Sequence, residues 1–496
     1  MIQYTRIFIL YVLFLNVANS CYAQKFQYDV EVQSLLATDV PFWLLMNQSG
    51  RYNTEDFQPY GNFKIASEFP LSNKLSLKTG AEILAGKTDT YHEVHRFQQA
   101  YLELESPYMR LLGGKKEQEK SKIAQLKSGD MVMSSNAAPI PVVQVCTNDY
   151  VPFPIISEHL KFKALLAHGW FEEQRHISNP YLHEKYLYLK LENTLPIDGY
   201  IGLHHAAMWG GEHPVYGQLP ESWSVFKDIF LAKSGEEDTS PEAEEQHNRV
   251  GNHIGSYDFG VIYQTDRYTA TVYRQTIFED ASGKGIQFIG DGLWGIEFCL
   301  KKQNALVEGI VLEFVKTTYQ GGPVHDLETE DRLFGNDNYY NNFMYQSGWS
   351  YNGFTIGNPF ITSPILNLYN SLTTKDGETI VHVFPNNRVL AWHLGIMGQL
   401  QNDLAYRLLL SYSLNYGIYD GNYSDAEAKE YTKNGKTYTY YELPDLTLFS
   451  SMLELEFPAT LFDVSFQAKA RVAMDLGNFI GDRFGVLFSL SKSGLF

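Results

Sequence analysis

Aromatic, amide and charged side chains gather beside glycines in several stretches of the sequence. The stretches are Met133–Pro141, Leu203–Gly211, Asn248–Gly260, Tyr273–Gly283, Asp291–Glu297 and Asp337–Asn342. Aromatic rings stack on the apolar face of a pyranose, planar polar groups hydrogen-bond its hydroxyls, and glycine lets the backbone approach. This combination favours carbohydrate binding. The candidate ligand-binding residues are Trp209, His204, Arg249, Tyr273, Gln275, Trp294, Asp337, Tyr339, Tyr340 and Asn341.

The same stretches lack the spacings that catalysis or metal binding requires. His204 and His205 are adjacent, so on a strand they point to opposite faces and cannot chelate one ion side by side. Glu279 and Asp280 have no partner carboxylates that mark a glycosidase, and there is no GxSxG nucleophile motif. We therefore expect a binding protein that is not an enzyme, with no catalytic residues, metal site or cofactor.

Long segments of alternating hydrophobicity must position these residues. In Phe462–Val472 every even-numbered residue is apolar and every odd-numbered residue is polar, and Tyr406–Ile418 repeats the pattern. These two segments have 11 and 13 residues, whereas globular strands usually have ~5–6 and tilted membrane strands need ~9–11. Tyr and Phe end the apolar faces, as in interfacial girdles, and the last strand ends at Phe496. We predict an all-β protein, a transmembrane antiparallel β-barrel, rather than a soluble sandwich or solenoid.

Composition is compatible with a membrane protein built of strands. The chain has 496 residues and a formal net charge of −18, with 19% charged and 15% aromatic residues. An average soluble domain has about 25% charged residues. The acidity argues against nucleic-acid binding, which needs a basic footprint. Beyond residue 20, no apolar run approaches the ~20 residues of a membrane helix.

Residues 1–23 have the pattern of a cleaved signal peptide. A short cationic start precedes the apolar run Ile7–Val17, and Cys21-Tyr22-Ala23 is a small-x-small cleavage site. The alternative is a lipoprotein anchored through Cys21, although the preceding residues match a lipobox poorly. Residues 1–23 carry one arginine and no acidic residue, so the mature chain has a charge of −19. Cys146 and Cys299 then remain, either as one disulfide or as two unpaired cysteines.

Connection lengths predict the topology of the barrel. Short and long connections alternate, and outer-membrane barrels place short turns in the periplasm and long loops outside the cell. A literal count from Asn62 on gives 19 strands, but bacterial barrels usually have an even number. We therefore predict about 18 strands, with Asn62–Phe69 outside the wall or miscounted. The predicted domains are the signal peptide over 1–23, a short N-terminal periplasmic or lumenal cap over 24–61, and the barrel over 62–496.

Two long connections carry further predictions. Tyr351-Asn352-Gly353 predicts a tight turn between two wall strands. Thr317–Tyr345 and Ile361–Asn387 are then separate long loops on either side of those strands. The connection Gly210–Ser256 is predicted to hold a short amphipathic helix over Ser222–Ala232.

The same strings resemble the outer-membrane capsule-assembly family, the Wzi-like proteins. The matching strings are Ser-Asn-Ala-Ala-Pro-Ile-Pro, His-His-Ala-Ala-Met-Trp-Gly-Gly, Asn-Arg-Val-Gly-Asn-His-Ile-Gly-Ser-Tyr-Asp, Tyr-Arg-Gln…Phe-Glu-Asp and Asp-Asn-Tyr-Tyr-Asn-Asn. The resemblance implies an 18-stranded outer-membrane barrel that acts as a surface lectin for capsular or extracellular polysaccharide. Such a protein helps to assemble and attach the capsule after export. Its implied partners are the polysaccharide, outer-membrane lipid and the capsule export machinery, and not nucleic acid.

The alternative function is an outer-membrane porin or sugar-specific channel, because 18 strands are wide enough for a pore. Steady conductance in planar bilayers would favour this alternative over a lectin. For a lectin, the charge of −19 repels an anionic capsule at long range. Binding of an anionic polysaccharide is therefore expected to tighten as salt screens the repulsion. Binding that weakens with salt would indicate a locally basic site.

Overall fold

The structure is a computed structural model. It describes residues 26–87, 93–153, 157–193, 195–233, 250–279, 290–323, 336–366, 383–400, 403–419, 426–433, 435–443 and 446–495. The predicted signal peptide and Arg249 lie outside the described residues. Within those ranges, no helix is both long enough and apolar enough to cross a bilayer.

Most of the described residues belong to strands, and each wall strand runs antiparallel to its neighbours. In chain order the strands are β1 (Phe26–Thr38), β2 (Phe57–Ser72), β3 (Leu75–Lys87), β4 (Glu93–Glu105), β5 (Met109–Lys115), β6 (Val142–Thr147), β7 (Val151–Phe153), β8 (Ser157–Trp170), β9 (Tyr181–Leu191), β10 (Ile197–Trp209), β11 (Glu212–His213), β12 (Gly217–Gln218), β13 (Asn252–Gln264), β14 (Tyr268–Phe278), β15 (Gly292–Leu300), β16 (Gly309–Lys316), β17 (Ser350–Tyr351), β18 (Phe354–Thr355), β19 (Val389–Gln399), β20 (Ala405–Asn415), β21 (Glu427–Lys433), β22 (Lys436–Glu442), β23 (Leu446–Leu461), β24 (Val464–Leu476) and β25 (Arg483–Leu495). The helical segments are Phe42–Leu45, Ile123–Leu126, Trp223–Leu231 and Pro364–Leu366.

The wall is a closed barrel. Strand β1 pairs with β2 on one side and with β25 on the other, so the sheet has no free edge. The sheet contains 19 strands, but β6 and β7 both pair with β8, at successive levels along it. These two short strands occupy one position, which gives the 18-stranded barrel that the sequence predicts. Closure pairs the wall strands on both sides, as a bilayer requires.

The structure corrects the prediction for residues 24–61. Phe26–Thr38 is not part of a cap but a wall strand that pairs along its length with β25. Asn62–Phe69, predicted to lie outside the wall or to be miscounted as a strand, belongs to β2. The overlooked signal is the alternation of β1, in which Val32 and Leu36 face outward and Gln33 and Leu35 face the lumen. Of residues 26–61, which the structure describes, 39–56 leave the wall.

The structure also corrects the topology between residues 317 and 388. The tight turn at Asn352-Gly353 is confirmed, with φ angles of 49° and 80°. However, it joins β17 and β18, a hairpin buried on both sides rather than a pair of wall strands. The two predicted loops beside it therefore belong to one excursion between β16 and β19. The literal count of 19 strands from the sequence included β17 and β18, which form a separate sheet, and omitted β1, which is in the wall. Removing two strands and adding one gives the 18 strands of the barrel.

The two faces of the wall differ as the alternation predicts. Ile201 and Leu203 on β10 and Phe259 and Val261 on β13 are exposed on the outer face. Inward positions on the same strands include His204 and Asp258. Connections at one end, the short-turn end, are brief, whereas those at the other, the long-loop end, include all the long ones. By the general pattern of outer-membrane barrels, the long-loop end faces outside.

Three long connections fold back into the lumen and form a plug. The plug comprises residues 39–56, 116–141 and the described parts of 317–388. Trp43 lies in the lumen, where its indole N–H donates to Ser411 Oγ at 3.1 Å and its ring centroid is 5.0 Å from that of His393. Trp349 donates to the carbonyl of Val132 at 2.8 Å. The barrel therefore has an aromatic core inside its wall.

The two cysteines of the described chain, Cys146 and Cys299, are free. They lie on β6 and β15, and no disulfide joins them.

Candidate functional site

The Ser-Asn-Ala-Ala-Pro stretch joins the segments of the plug. The Asn136 side chain accepts a hydrogen bond from the backbone N–H of Asn47 at 2.9 Å and donates to the carbonyl of Gly357 at 2.7 Å. Gly50 packs against the same stretch with a φ of 59°, and a Cβ there would lie 2.8 Å from the Ala138 nitrogen. One asparagine and one glycine thus hold three distant segments together, so this stretch positions the site.

Tyr339, Tyr340 and Asn341 lie inside the plug rather than on an exposed loop. Tyr340 is fully buried, and its hydroxyl donates to the carbonyl of Met131 at 2.6 Å. The Asn341 side chain pairs with the backbone of Phe384 through bonds of 2.9 and 3.0 Å. The Tyr339 hydroxyl donates to Asp291 at 3.3 Å. These three side chains shape the plug, and a ligand could reach them only if the plug moved.

Asp337 lies beside them but is partly exposed. Its backbone N–H donates to the carbonyl of Gln320 at 3.1 Å. Of the four predicted residues in this stretch, Asp337 is the one whose side chain reaches the surface.

Tyr273 and Gln275 face the lumen, as predicted, and they contact the plug. The Tyr273 hydroxyl donates to Glu313, and the Lys127 ammonium lies 4.2 Å from the centre of the Tyr273 ring. The Gln275 amide accepts from the Met131 N–H and donates to Asp130, both at 3.0 Å. Their positions in the structure give both residues a role in seating the plug against the wall.

The two predicted tryptophans lie on the outside of the wall. Trp294 is 45% exposed and stacks on Arg274, whose guanidinium carbon is 4.0 Å from the ring centre. Trp209 is only 4% exposed because the helix Trp223–Leu231 covers it. Neither ring lies near the lumenal candidates, so the structure does not bring the predicted residues into one site.

His204 lines a cavity between the plug and the wall, which we call cavity A. Its Nε2 lies 3.0 Å from Glu184, and its ring packs edge-on against Tyr186 at 5.6 Å. Tyr188 donates to the buried carboxylate of Asp258. Cavity A has a volume of about 340 Å³. Its lining residues are Glu103, Arg110, Leu112, Lys116, Glu117, Gln118, Glu119, Asp130, Met133, Gln144, Cys146, Lys163, Leu165, Glu184, Tyr186, Tyr188 and His204.

A second cavity, cavity B, lies on the other side of the plug segment that contains Glu117 and Gln118. Its volume is about 360 Å³. Glu454, which is not part of the lining, forms ion pairs with the lining residues Arg407 and Arg471. Arg51 forms ion pairs with Glu82 at 2.6 Å and with Glu117 at 2.7 Å. The lining residues are Glu31, Gln33, Trp43, Met46, Asn47, Gln48, Ser49, Arg51, Tyr52, Glu117, Gln118, Lys120, Gln125, Arg407, Leu409, Lys469 and Arg471.

Lys120 contributes a cation to cavity B from the plug. Burial and the nearby Arg407 charge lower the pKa of Lys120 to about 8. Its ammonium group is therefore mostly charged at neutral pH and becomes neutral as the pH rises through that value.

Sequence reasoning missed most residues of both cavities. On β9, Glu184, Tyr186 and Tyr188 alternate on the lumenal face, and this polar and aromatic alternation could have identified cavity A. Cavity B combines β1, β20, β24 and two plug segments, and no local pattern connects these. Among the described residues, no group of three His, Cys, Asp or Glu side chains has the arrangement of a metal site.

Comparisons with known proteins agree with this architecture. The family model for capsule assembly protein Wzi matches residues 41–362. Wzi of Escherichia coli, described as a carbohydrate-binding β-barrel involved in Group 1 capsule assembly, superimposes with a TM-score of 0.53 at 11% identity. That match covers 93% of this chain and 84% of the other, and at this identity it shows the fold alone.

Pseudomonas aeruginosa OpdL gives a lower TM-score of 0.48 at 10% identity, covering 95% of this chain and 99% of the other. No curated protein sequence matches the chain significantly. The family model, however, spans well over half of the sequence. The chain therefore belongs to the Wzi family of outer-membrane capsule assembly proteins.

Proposed function

We propose that the protein is a surface lectin that binds capsular or extracellular polysaccharide and supports assembly and attachment of the capsule. In this proposal a cleaved signal peptide delivers the chain for insertion into the outer membrane. The polysaccharide and the surrounding lipid are its partners there, together with the capsule export machinery. The E. coli structure described as carbohydrate-binding supports the class of ligand.

The observation that carries the proposal is the lining of cavity A. Tyr186, Tyr188 and His204 supply rings with polar edges, and Gln144 and Glu184 supply planar hydrogen-bonding groups. A volume of about 340 Å³ lies within the usual range of small-molecule pockets, roughly 300–1,000 Å³. This recess is suited to one or two sugar residues of a polymer.

The channel alternative rests on the same interior. Cavities A and B meet at Glu117 and Gln118, so open space lies on both sides of the plug. Against a channel, the lumen also contains the buried aromatic core around Trp43, Trp349 and Tyr340. We expect no steady current from the purified protein in planar bilayers. A stable open-channel current would favour transport over binding alone.

The lectin proposal is tested by binding of purified polysaccharide to the detergent-solubilised barrel. The variant Tyr186→Ala removes a lumenal ring of cavity A and is expected to raise Kd about tenfold, which corresponds to about 1.4 kcal/mol. The matched control, Tyr412→Ala, removes a tyrosine from the outer face of β20 and leaves Kd unchanged. Equal affinities of both variants and the parent protein would exclude cavity A as the sugar site.

A further inference from the structure

A nine-residue helix, Trp223–Leu231, lies against the outside of the barrel wall. We call it the outer-wall helix. The Ser222 hydroxyl accepts a hydrogen bond from the backbone N–H of Val225 at its start, and Ala232 ends it in a left-handed conformation with a φ of 48°. The helix confirms the sequence prediction over Ser222–Ala232. Its position on the outer surface is new information from the structure.

One side of the helix is packed onto the wall. Val225 and Ile229 are buried in a cluster with Ala207 and Trp209 of β10. Since His204 on the same strand faces the lumen, Ala207 and Trp209 face outward by the alternation of the strand. The helix therefore covers wall positions on the outer, membrane-facing side.

Ring contacts show that the helix runs down the wall from the long-loop end. Phe226 contacts Trp209 and His183, with ring centroids 5.7 and 5.5 Å apart. Phe230, one turn later, contacts Lys185. The ammonium group of Lys185 is 3.9 Å from the centre of the Phe230 ring. Strand β9 runs from Tyr181 at the long-loop end toward the short-turn end. Lys185 is therefore farther from the long-loop end than His183. The C-terminal end of the helix points toward the middle of the barrel.

The helix ends where the exposed apolar band of the wall begins. The next outward pair below Lys185 is Leu187 and Leu203, which are 51% and 40% exposed. Two residues along a strand span roughly 7 Å, so this pair lies one outward level below Lys185, the residue that Phe230 contacts. On the side of the helix that does not pack on the wall, Trp223 is 68% exposed and Leu231 is 55% exposed among the described residues. Apolar surface thus continues from the wall onto the helix.

We propose that the outer-wall helix is an interfacial anchor that binds outer-leaflet lipid. Its C-terminal residues Phe230 and Leu231 lie among the upper acyl chains, and Trp223 lies at the headgroup level. Amphipathic helices bury an apolar face at this boundary, and aromatic residues favour it. Lys227 lies beside Trp223, where its ammonium group can contact lipid phosphates, whereas the Lys185 ammonium group donates to the carbonyl of Phe230. The proposal does not depend on sugar binding.

The experiment measures the depth of a nitroxide label on the intact barrel. The label is attached to Leu231→Cys in a Cys146→Ser/Cys299→Ser background, reconstituted in phosphatidylcholine vesicles. The matched control is Val215→Cys, which is 79% exposed and lies in the tight connection between β11 and β12. We expect the label at position 231 to be several-fold less accessible to a water-soluble nickel chelate, and more accessible to oxygen, than the label at position 215.

Equal nickel accessibility at positions 231 and 215 would overturn the proposal. Dipolar broadening between labels at position 231 would also overturn it, because a second copy of the chain rather than lipid would then cover the helix. A second site, Trp223→Cys, guards against a local disturbance at the helix end. Its label is expected to show an intermediate depth. A label at position 223 deeper than the one at 231 would contradict the proposed direction of the helix.

Discussion

Cavities A and B adjoin each other inside one barrel, yet their charges are opposite. Five carboxylates and three lysine or arginine side chains line cavity A, so its formal charge is −2. Five lysine or arginine side chains and two carboxylates line cavity B, so its formal charge is +3. Glu117 and Gln118 belong to both linings.

This difference shows that net charge is a poor guide to how the protein meets an anionic ligand. The mature charge of −19 predicts repulsion at long range, and hence binding that tightens with salt. Cavity B predicts the opposite for any anionic group that enters it, because screening weakens a close attraction. Under the lectin proposal, cavity A is the site for neutral sugars, whose recognition depends on rings and hydroxyl partners. The salt dependence of binding therefore reports which cavity is used.

The largest expected effect comes from removing the carboxylate that holds the cations of cavity B in place. Glu454→Ala leaves Arg407 and Arg471 buried without their shared counter-charge. Loss of one partner from a buried ion pair costs about 3–5 kcal/mol of folding free energy. Urea unfolding in detergent micelles, followed by tryptophan fluorescence, measures the loss.

The matched control for that variant is Glu456→Ala. Glu456 lies two residues away on β23 and pairs with Lys469 across 3.6 Å, but its side chain is 39% exposed. Exposed pairs contribute about 0–1 kcal/mol. Similar losses for the two variants would mean that the arginines of cavity B do not depend on Glu454.

A smaller effect is expected from removing one cation of cavity B. Lys120→Met is expected to weaken binding of an acidic oligosaccharide about tenfold and to reduce its dependence on salt, because an attractive charge is lost. Titration calorimetry at two salt concentrations provides the measurement. Lys163→Met, which removes a cation from cavity A instead, is the control. If that variant weakened binding as much as Lys120→Met, the acidic sugar would occupy cavity A.

The smallest effect is a pH dependence of the same binding. The pKa of Lys120 is about 8, lowered by burial and Arg407 and opposed by Asp130 and Glu117. The ammonium group is charged below that pH and neutral above it, so affinity for an acidic oligosaccharide should fall several-fold between about pH 7 and pH 9. In Lys120→Met the affinity should stay flat over this range. A parent protein with no pH dependence would show that Lys120 does not contact the ligand.

The wall could be predicted from the sequence, whereas the interior could not. Alternation is local, so strands such as Val464–Leu476 are visible residue by residue. The plug depends on contacts between distant segments, such as the bond from Tyr340 to Met131 across 209 residues. A tyrosine-rich loop has the same composition whether it faces water or packs inside a barrel. For this reason the sequence predicts a sugar-binding patch in a long outer loop around Tyr340, whereas the structure buries Tyr340 in the plug.

The outer-wall helix illustrates the same limit. Its apolar periodicity predicts a helix correctly. What covers Trp209 is decided by the fold of residues 210–233, which no local pattern specifies.

The pairing of β1 with β25, which closes the barrel, has a consequence for biogenesis. The plug segment that follows β1 is attached to the last two strands, since the Phe42 N–H donates to Asp475 at 2.8 Å and Arg483 donates to the Val40 carbonyl at 3.2 Å. Strand β1 itself must pair with β25 across almost the whole length of the chain. Contacts this distant in sequence form late in folding. Docking of the first plug segment and closure of the wall both need the last two strands in place, so a barrel that fails to close also lacks these contacts of its interior.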